Sequence, residues 1–183
     1  MSCTTGQPKW LSMIATVLLM AATVSAAEPS REYQVKAAFI YNFTQFIEWP
    51  EGAFASADAP FVVAVLGKDP FNGALEQAME GKRVGSRAVV VRRYEVGSVI
   101  GPCQILFVPL TEESAVINKL PRLVGDRPIL TVGESDAFLP LGGIFRFYTE
   151  DKKVRFEVST QPAEQRRLKI SSKLLKLARI YKK

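Results

Sequence analysis

The sequence contains no histidine in 183 residues. Ser-His-Asp and Cys-His nucleophile systems need an imidazole that exchanges a proton near neutral pH, so they are excluded. Zinc sites rich in histidine are excluded for the same reason, and a cage of cysteines is excluded because the mature chain has one thiol. A pair of carboxylates of the glycosidase kind stays open, since it needs only two acids at a suitable separation. The missing histidine therefore argues against most hydrolases.

Cysteine is nearly as scarce, since only Cys3 and Cys103 occur. Cys3 lies in an amino-terminal segment that we expect to be removed, so the mature chain cannot form an intramolecular disulfide. A domain of this size has a core large enough to be stable without one. Cys103 directly precedes an apolar segment. We therefore predict a buried, inert thiol there, with a redox sensor as the alternative.

Residues 1–27 have the pattern of an export signal. Lys9 supplies the positive start, residues 10–24 are apolar, and small residues follow at the expected cleavage positions. The apolar run is shorter than the ~20 residues that cross a bilayer, which leaves a retained membrane anchor as the alternative. We predict cleavage near Ala26 or Ala27 and a single periplasmic domain over residues 28–183, which excludes ATP-driven chemistry and most nicotinamide chemistry.

Basic residues are concentrated at the end of the chain. The net charge is +6 for the whole sequence, and eight lysines and arginines fall within residues 166–183. We interpret them as the solvated face of an amphipathic final helix. Contact with anionic lipid headgroups or with an acidic partner is the alternative.

The hydrophobic pattern predicts alternating strands and helices. Helices are expected over residues 31–49, from Asp69 to about residue 80, from Thr111 to about residue 120, over 160–167, and from Ser171 or Ser172 to the end. Strands are expected over residues 61–66, 83–91, 104–108, 128–132, 144–148 and 154–158. This order predicts an α/β fold with a mainly parallel sheet, flanking helices, a C-terminal antiparallel β-hairpin and a terminal helix.

Three glycines are candidates for ligand binding. Gly67 follows a strand and precedes a predicted helix, where open α/β sheets bind ligands. It lacks the glycine spacing of dinucleotide sites and the ending of a phosphate loop, so a plain connection is the favoured interpretation. Gly142 and Gly143 could allow a close backbone approach to a ligand, with a tight turn as the alternative.

Several segments together resemble the YfiR-like family of exported bacterial proteins. The resemblance covers nearly the whole mature chain in order, and its closing segment is the most specific. The matching segments are residues 33–43 with Trp49-Pro50, and residues 65–71, 103–107, 130–132, 138–144, 154–158 and 168–178.

This resemblance implies regulation rather than catalysis, with no cofactor and no nucleic acid. The family's namesake is a periplasmic repressor that holds an inner-membrane diguanylate cyclase inactive until an outer-membrane lipoprotein sequesters it. The implied function is therefore binding of such a membrane sensor, with homodimer formation, in cyclic di-GMP signalling and biofilm control. The alternative is a periplasmic small-molecule binding protein that serves a membrane receptor and uses a cleft beside Gly67 and Gly142.

The chain departs from the family pattern at two points. The family commonly has a histidine after the cysteine equivalent to Cys103, where this chain has Gln104. The repressor branch also forms several disulfides, whereas one cysteine remains here. Redox control by an intramolecular disulfide is therefore impossible in the mature chain.

Four charged residues are predicted to bind the partner. Glu157 lies on the polar face of the last predicted strand and matches a glutamate that recurs in the family's Phe-Glu segment. We group it with Glu48, Lys169 and Lys173. The alternative is a structural ion pair of Glu157 with Lys169 or Lys173. In the first case Glu157→Lys should weaken partner binding and leave the melting temperature nearly unchanged, and in the second it should destabilise the fold.

Overall fold

The computed structural model describes residue 2 and residues 30–182, so the predicted export signal lies, apart from residue 2, outside the described residues. Within this described part, no helix is both long and apolar enough to cross a membrane. The helices are α1 Arg31–Phe46, α2 Ala74–Met79, α3 Leu110–Val116, α4 Leu120–Val124, α5 Thr160–Gln165 and α6 Ser172–Leu175. The strands are β1 Ile47–Glu48, β2 Phe61–Leu66, β3 Arg83–Val84, β4 Arg87–Tyr94, β5 Ile105–Phe107, β6 Leu130–Gly133, β7 Phe145–Glu150, β8 Lys153–Val158, β9 Lys169–Ile170 and β10 Arg179–Ile180.

One eight-stranded sheet organises the domain, in the order β10-β8-β7-β6-β5-β2-β4-β3. Strands β4, β2, β5, β6 and β7 run parallel, and β8 returns antiparallel to β7. The predicted α/β class with its C-terminal hairpin is therefore confirmed, and the sheet is mixed. A separate two-stranded ribbon joins β1 to β9.

Two apolar layers cover the sheet. Along β2 all six side chains are buried, as predicted for a strand covered on both faces. Phe61, Val63 and Val65 join the core beneath α1 and α2. Val62 and Leu66 join the core beneath α3 and α4, because successive strand residues point to opposite faces.

Helix α1 is shorter than predicted. It begins after Ser30, whose Oγ accepts a hydrogen bond from Tyr33 N at 3.4 Å. It ends at Phe46, where residues 47–48 turn into β1 instead of continuing the helix to residue 49. Proline at position 50 disfavours helix before it, and the pairing of Ile47 with Ile170 gives the backbone another set of hydrogen bonds.

The hairpin packs under α1 through a cluster of aromatic rings. Phe43 lies 4.6 Å from Phe145 and 5.1 Å from Phe156, measured between ring centroids. The connection is a two-residue turn in which Asp151 and Lys152 have φ values of 50° and 58°. Two successive left-handed residues match the twist of a hairpin, so the turn brings both strands together in register.

Helix α2 starts later than predicted. Asp69 does not cap it, because its Oδ1 accepts a hydrogen bond from Phe71 N at 2.7 Å in a local turn. Asn72 and Gly73 then have φ values of 47° and 88°, which a right-handed helix cannot accommodate. Helix α3, by contrast, starts earlier than predicted. It begins at Leu110, so Thr111 lies inside the helix rather than at its cap.

The predicted single strand over residues 83–91 is two strands. A turn with Gly85 at φ 58° separates β3 from β4, which pair antiparallel. The predicted long terminal helix is also wrong. Helix α6 makes one turn and ends at Leu175, and the chain then adds β10 parallel to β8. The N–H and C=O groups at the free edge of β8 form hydrogen bonds with β10, and a continued helix would have left these groups of β8 unpaired.

Candidate partner-binding site

A shallow groove runs along the ribbon of β1 and β9. Glu48 pairs with Lys169 across the ribbon, and Ser171 N donates to Phe46 O at 2.9 Å. The groove encloses about 380 Å³ and is lined by Gln45, Phe46, Ile47, Glu48, Lys169, Ile170, Ser171 and Lys173. Three of the four predicted partner-binding residues therefore lie together at one surface.

The charges of this groove are available to a partner. The side chains of Glu48 and Lys169 are 79% and 83% exposed, and Lys169 Nζ lies 3.9 Å from Glu48 Oε2. Such an exposed pair contributes at most about 1 kcal/mol to folding. Lys173 is exposed in the first turn of α6. The three side chains can thus exchange their contacts with water for contacts with another protein without loss of the fold.

Glu157 lies elsewhere. In β8 its neighbours Phe156 and Val158 point to the core beneath α1, so Glu157 points to the opposite face of the sheet. The alternative of an ion pair with Lys169 or Lys173 is wrong in its partner, because Glu157 Oε2 accepts a hydrogen bond from Arg146 Nη2 at 2.8 Å.

This ion pair is largely enclosed. The side chains of Glu157 and Arg146 are 12% and 11% exposed, and the two residues are direct neighbours in the β7–β8 register. Arg146 also contacts the exposed carboxylate of Asp136. Arg146 Nε is buried with no hydrogen-bond partner among the described residues. Arg146 therefore depends on Glu157 for its main buried contact, and the geometry gives Glu157 a structural role.

Gly67 serves packing between the sheet and α3. It has a φ of +82°, and an added Cβ would lie 2.5 Å from Glu112 Cγ. Its N–H donates to Tyr94 O at 2.7 Å, and Glu112 Oε1 accepts from Lys68 N at 3.3 Å. The glycine thus allows the Glu112 side chain to lie over the end of β2.

Gly142 and Gly143 also lie against protein atoms. Gly142 has a φ of +96°, and its carbonyl accepts from Arg166 Nη2 at 3.3 Å. An added Cβ at Gly143 would meet the ring and the carbonyl oxygen of Phe138. Gly143 precedes the start of β7 whereas Gly67 follows the end of β2, so they approach opposite ends of parallel strands. The structure does not bring them to one cleft.

Arg166 is a buried cation that the sequence interpretation placed on a solvated helix face. Its guanidinium donates to Thr131 Oγ1 at 3.5 Å as well as to Gly142 O. Burial lowers the pKa of Arg166, with an opposing contribution from Asp126. The end of α5, where the chain turns back toward the sheet, carries this side chain inward.

Cys103 is a free, buried thiol, as predicted for a core position. Burial raises its pKa to about 11, although Arg127 and Arg92 act in the opposite direction. Its neighbour Gln104 is buried too. Gln104 Oε1 accepts from Val62 N at 2.8 Å. Gln104, which stands where the family commonly has histidine, therefore satisfies a backbone N–H near the start of β2.

A buried polar cluster at the carboxyl end of the sheet was missed from the sequence. Lys36 Nζ lies 2.5 Å from Glu134 Oε1 and also contacts the carboxylate of Glu32. Glu134 accepts further hydrogen bonds from Tyr33 Oη at 3.2 Å and from Leu110 N at 2.8 Å. Burial, followed by the charge of Glu134, raises the pKa of Tyr33. These bonds tie α1 to the start of α3.

A second acid completes this cluster. Glu113 Oε1 accepts from Glu134 N at 2.5 Å and from Ser135 N at 3.0 Å. One signal for the cluster was present in the sequence, since Lys36 falls on the same helical stripe as Ile40 and Phe43. A lysine on a buried stripe requires an acidic partner, but the sequence does not identify which acid lies nearby.

The fold and the groove define an α/β layer protein with an exposed, charged surface at a small ribbon. The family model described as YfiR/HmsC-like matches residues 33–179, and the chain belongs to that family. The family consists of periplasmic regulatory proteins associated with cyclic di-GMP signalling and is non-catalytic.

Among solved structures, the chain is similar to a conserved domain protein from Vibrio cholerae O1 biovar El Tor. The TM-score is 0.56 at 9% sequence identity, and the likeness covers 82% of this chain and 60% of that chain. This likeness supports the fold alone. No curated protein matches the sequence.

Proposed function

We propose that this protein is exported to the periplasm, where it binds the periplasmic part of an inner-membrane sensor and modulates its activity. The proposed sensor is a diguanylate cyclase, so the output is cyclic di-GMP and biofilm formation. An outer-membrane lipoprotein is the proposed competing partner. Family membership over residues 33–179 is the observation that carries this proposal.

The groove beside β1 and β9 is the best candidate for the sensor contact. It presents one acid, Glu48, directly opposite Lys169 on the hydrogen-bonded ribbon, with a second base, Lys173, on the adjacent α6. A fixed pattern of opposite charges confers specificity and speeds association with a complementary surface. Glu157 is left out of this surface because Arg146 already occupies its carboxylate.

The first experiment identifies the partner. The mature chain, immobilised through a tag after Lys183, is incubated with detergent-solubilised inner membranes of the source cell. We expect capture of a protein with a periplasmic sensing domain and a diguanylate cyclase domain. Capture of no membrane protein, with correctly folded bait, would contradict the proposal.

The second experiment tests the groove with matched charge changes. Glu48→Lys and Lys169→Glu should each weaken sensor binding about fivefold, the effect of losing one rim charge of about 1 kcal/mol. The double variant Glu48→Lys with Lys169→Glu restores an ion pair with the two charges exchanged. Its sensor binding should remain weak if the sensor contacts each charge separately. Lys119→Glu, exposed on the α3–α4 side, is the control. Cellular cyclic di-GMP should change with the groove variants and not with the control.

A small-molecule binding protein is the second candidate function. Its support is a groove of about 500 Å³ between α1 and the hairpin turn. Its lining combines apolar side chains with three basic residues and one acid: Val35, Phe39, Val154, Arg31, Lys152, Lys153 and Glu32. This composition suits an anion with an apolar body. Heteronuclear NMR during titration with aliphatic and aromatic carboxylates should show shifts confined to these residues, whereas unchanged spectra would exclude the groove as a carboxylate site.

A further inference from the structure

All charged side chains in the last part of the chain are basic. After Glu164, residues 165–183 contain eight lysines and arginines and no acidic residue. In the structure this segment is broken into a ribbon strand, a single helical turn and an edge strand. Among the described residues, its exposed lysines and arginines therefore follow these short elements and their connections rather than the long amphipathic helix that the sequence predicts.

An exposed leucine lies beside two lysines in this segment. The helical turn continues past α6, since Lys176 N bonds Ser172 O and Leu177 N bonds Leu174 O. Lys173, Lys176 and Leu177 thus fall at three- and four-residue spacing on one side. Leu174 is buried against the core, whereas Leu177 is 71% exposed. A leucine so exposed contributes little to folding.

A second exposed apolar residue follows at the sheet edge. Ile180 of β10 is 41% exposed. It pairs with Val158, and its neighbours Arg179 and Tyr181 point to the other face, where Arg179 lies over the Tyr148 ring. Ile180 therefore points to the face of the sheet that α6 covers.

The nearby acids neutralise little of this charge. Arg179 pairs with Glu150 at 2.8 Å, and Lys169 lies 3.9 Å from Glu48. Lys173 and Lys176 form no ion pair with any residue that the structure describes. A net positive surface with a protruding apolar side chain remains.

We propose that this terminal basic surface, formed by Lys173, Lys176, Leu177 and Ile180, binds the anionic phospholipid surface of a membrane. The lysine ammonium groups contact lipid phosphates, and Leu177 enters the boundary between headgroups and acyl chains. Lysine suits this role because its flexible stem follows a fluid headgroup layer, whereas bidentate recognition of protein carboxylates favours arginine. The proposal goes beyond sensor binding, although membrane contact would also concentrate the protein beside an inner-membrane partner.

Vesicle flotation tests the proposal without any partner protein. The mature chain is mixed with vesicles of phosphatidylglycerol and phosphatidylcholine in equal parts, or of phosphatidylcholine alone. We expect flotation with the anionic vesicles only, and weaker binding at higher salt. Each lysine near an anionic surface contributes about fivefold in affinity, so Lys173→Gln with Lys176→Gln should weaken binding about 25-fold.

Two controls separate this surface from the general basic charge. Lys119→Gln with Arg122→Gln removes the same charge from exposed positions on the opposite helical layer and should weaken binding far less. Leu177→Asn keeps the charge and should still weaken binding about fivefold, because the leucine no longer enters the bilayer boundary. Circular dichroism should show the same melting temperature for all variants, since these side chains are exposed.

Three outcomes would overturn the proposal. The first is that the wild-type protein does not float with anionic vesicles. The second is that the two double variants lose the same amount of vesicle affinity. The third is that Leu177→Asn floats like wild type. Because the vesicles contain no protein, these results do not depend on whether the sensor proposal holds. Loss of sensor capture with normal flotation would reject the proposed function and leave the membrane surface intact.

Discussion

Charge reversal at Glu157 should destabilise the fold. The carboxylate lies 2.8 Å from Arg146 Nη2, and both side chains are nearly nine-tenths buried. Removing one member of a buried pair leaves an uncompensated charge and reduces the free energy of unfolding by about 3–5 kcal/mol. Glu157→Lys also places a third cation between Arg146 and Arg179, its neighbour in β10. The exposed carboxylate of Asp136 offsets part of this loss, so we expect the lower end, about 3 kcal/mol.

The melting temperature converts this figure into a measurement. For a domain of this size each 1 kcal/mol lowers it by about 2–4 °C, so Glu157→Lys should lower it by roughly 6–12 °C. Thermal unfolding followed by circular dichroism, together with urea unfolding, provides both values. Glu48→Lys is the matched control, because it makes the same charge change at a side chain that is 79% exposed and should move stability by no more than about 1 kcal/mol.

A double exchange tests the cause of the loss. Arg146→Glu combined with Glu157→Lys restores opposite charges across the two strands, so it should recover part of the stability lost by either single variant. A Glu157→Lys variant that melts within about 2 °C of wild type would refute the reasoning, because that shift corresponds to no more than about 1 kcal/mol. Glu157 would then be free for a partner, as the sequence interpretation proposed.

Three further predictions follow from single sites. Cys103 should react slowly with thiol reagents in the folded protein, and Cys103→Ala should lower the free energy of unfolding by about 1–2 kcal/mol, whereas rapid native labelling would contradict its burial. Gly67→Ala should lower it by about 1–3 kcal/mol, since the new Cβ meets Glu112 at 2.5 Å, and more than Gly81→Ala, where a φ of +65° is strained but nothing lies within 4 Å. Mass spectrometry of the periplasmic fraction should find a mature terminus at Ala27 or Glu28, and full-length protein in the cytosol would contradict export.

The sheet could be predicted because its central strands are simple runs of apolar residues. Residues 61–66 are buried on both faces and were located without error. The errors occur where tertiary pairing competes with local propensity. The spacing of apolar residues predicts helix for residues 47–48 and 179–180, yet both pair with strands that are distant along the chain. Only the three-dimensional arrangement supplies those partners.

The candidate site was predicted less completely than the fold. Glu48, Lys169 and Lys173 come together because antiparallel pairing of two short strands places residues 48 and 169 opposite each other. The polar cluster around Lys36 could not be assembled from the sequence. Its acid Glu134 lies 98 residues away and follows a strand whose position depends on the order of the whole sheet.

The partner of Glu157 could nevertheless have been derived from the hairpin itself. A two-residue turn at 151–152 places residues at equal distance from the turn opposite each other, so Arg146 faces Glu157 and Phe147 faces Phe156. A turn one residue earlier would place Arg146 opposite Arg155, and like charges at directly opposed positions are destabilising. A three-residue turn would place Arg146 opposite Phe156, and thus a charge among the core rings.

Charge and apolar matching therefore select one register among the three. That register assigns Glu157 to Arg146 by sequence pattern alone, provided that each charged residue on a strand is first compared with its cross-strand neighbour. The same comparison leaves Lys173, Lys176 and Leu177 unassigned, because they belong to no strand and no core stripe. We place the membrane contact at the end of the chain because two lysines without an ion pair to any described residue and an exposed leucine lie together there, whereas Glu157 of the Phe-Glu segment is already paired with Arg146.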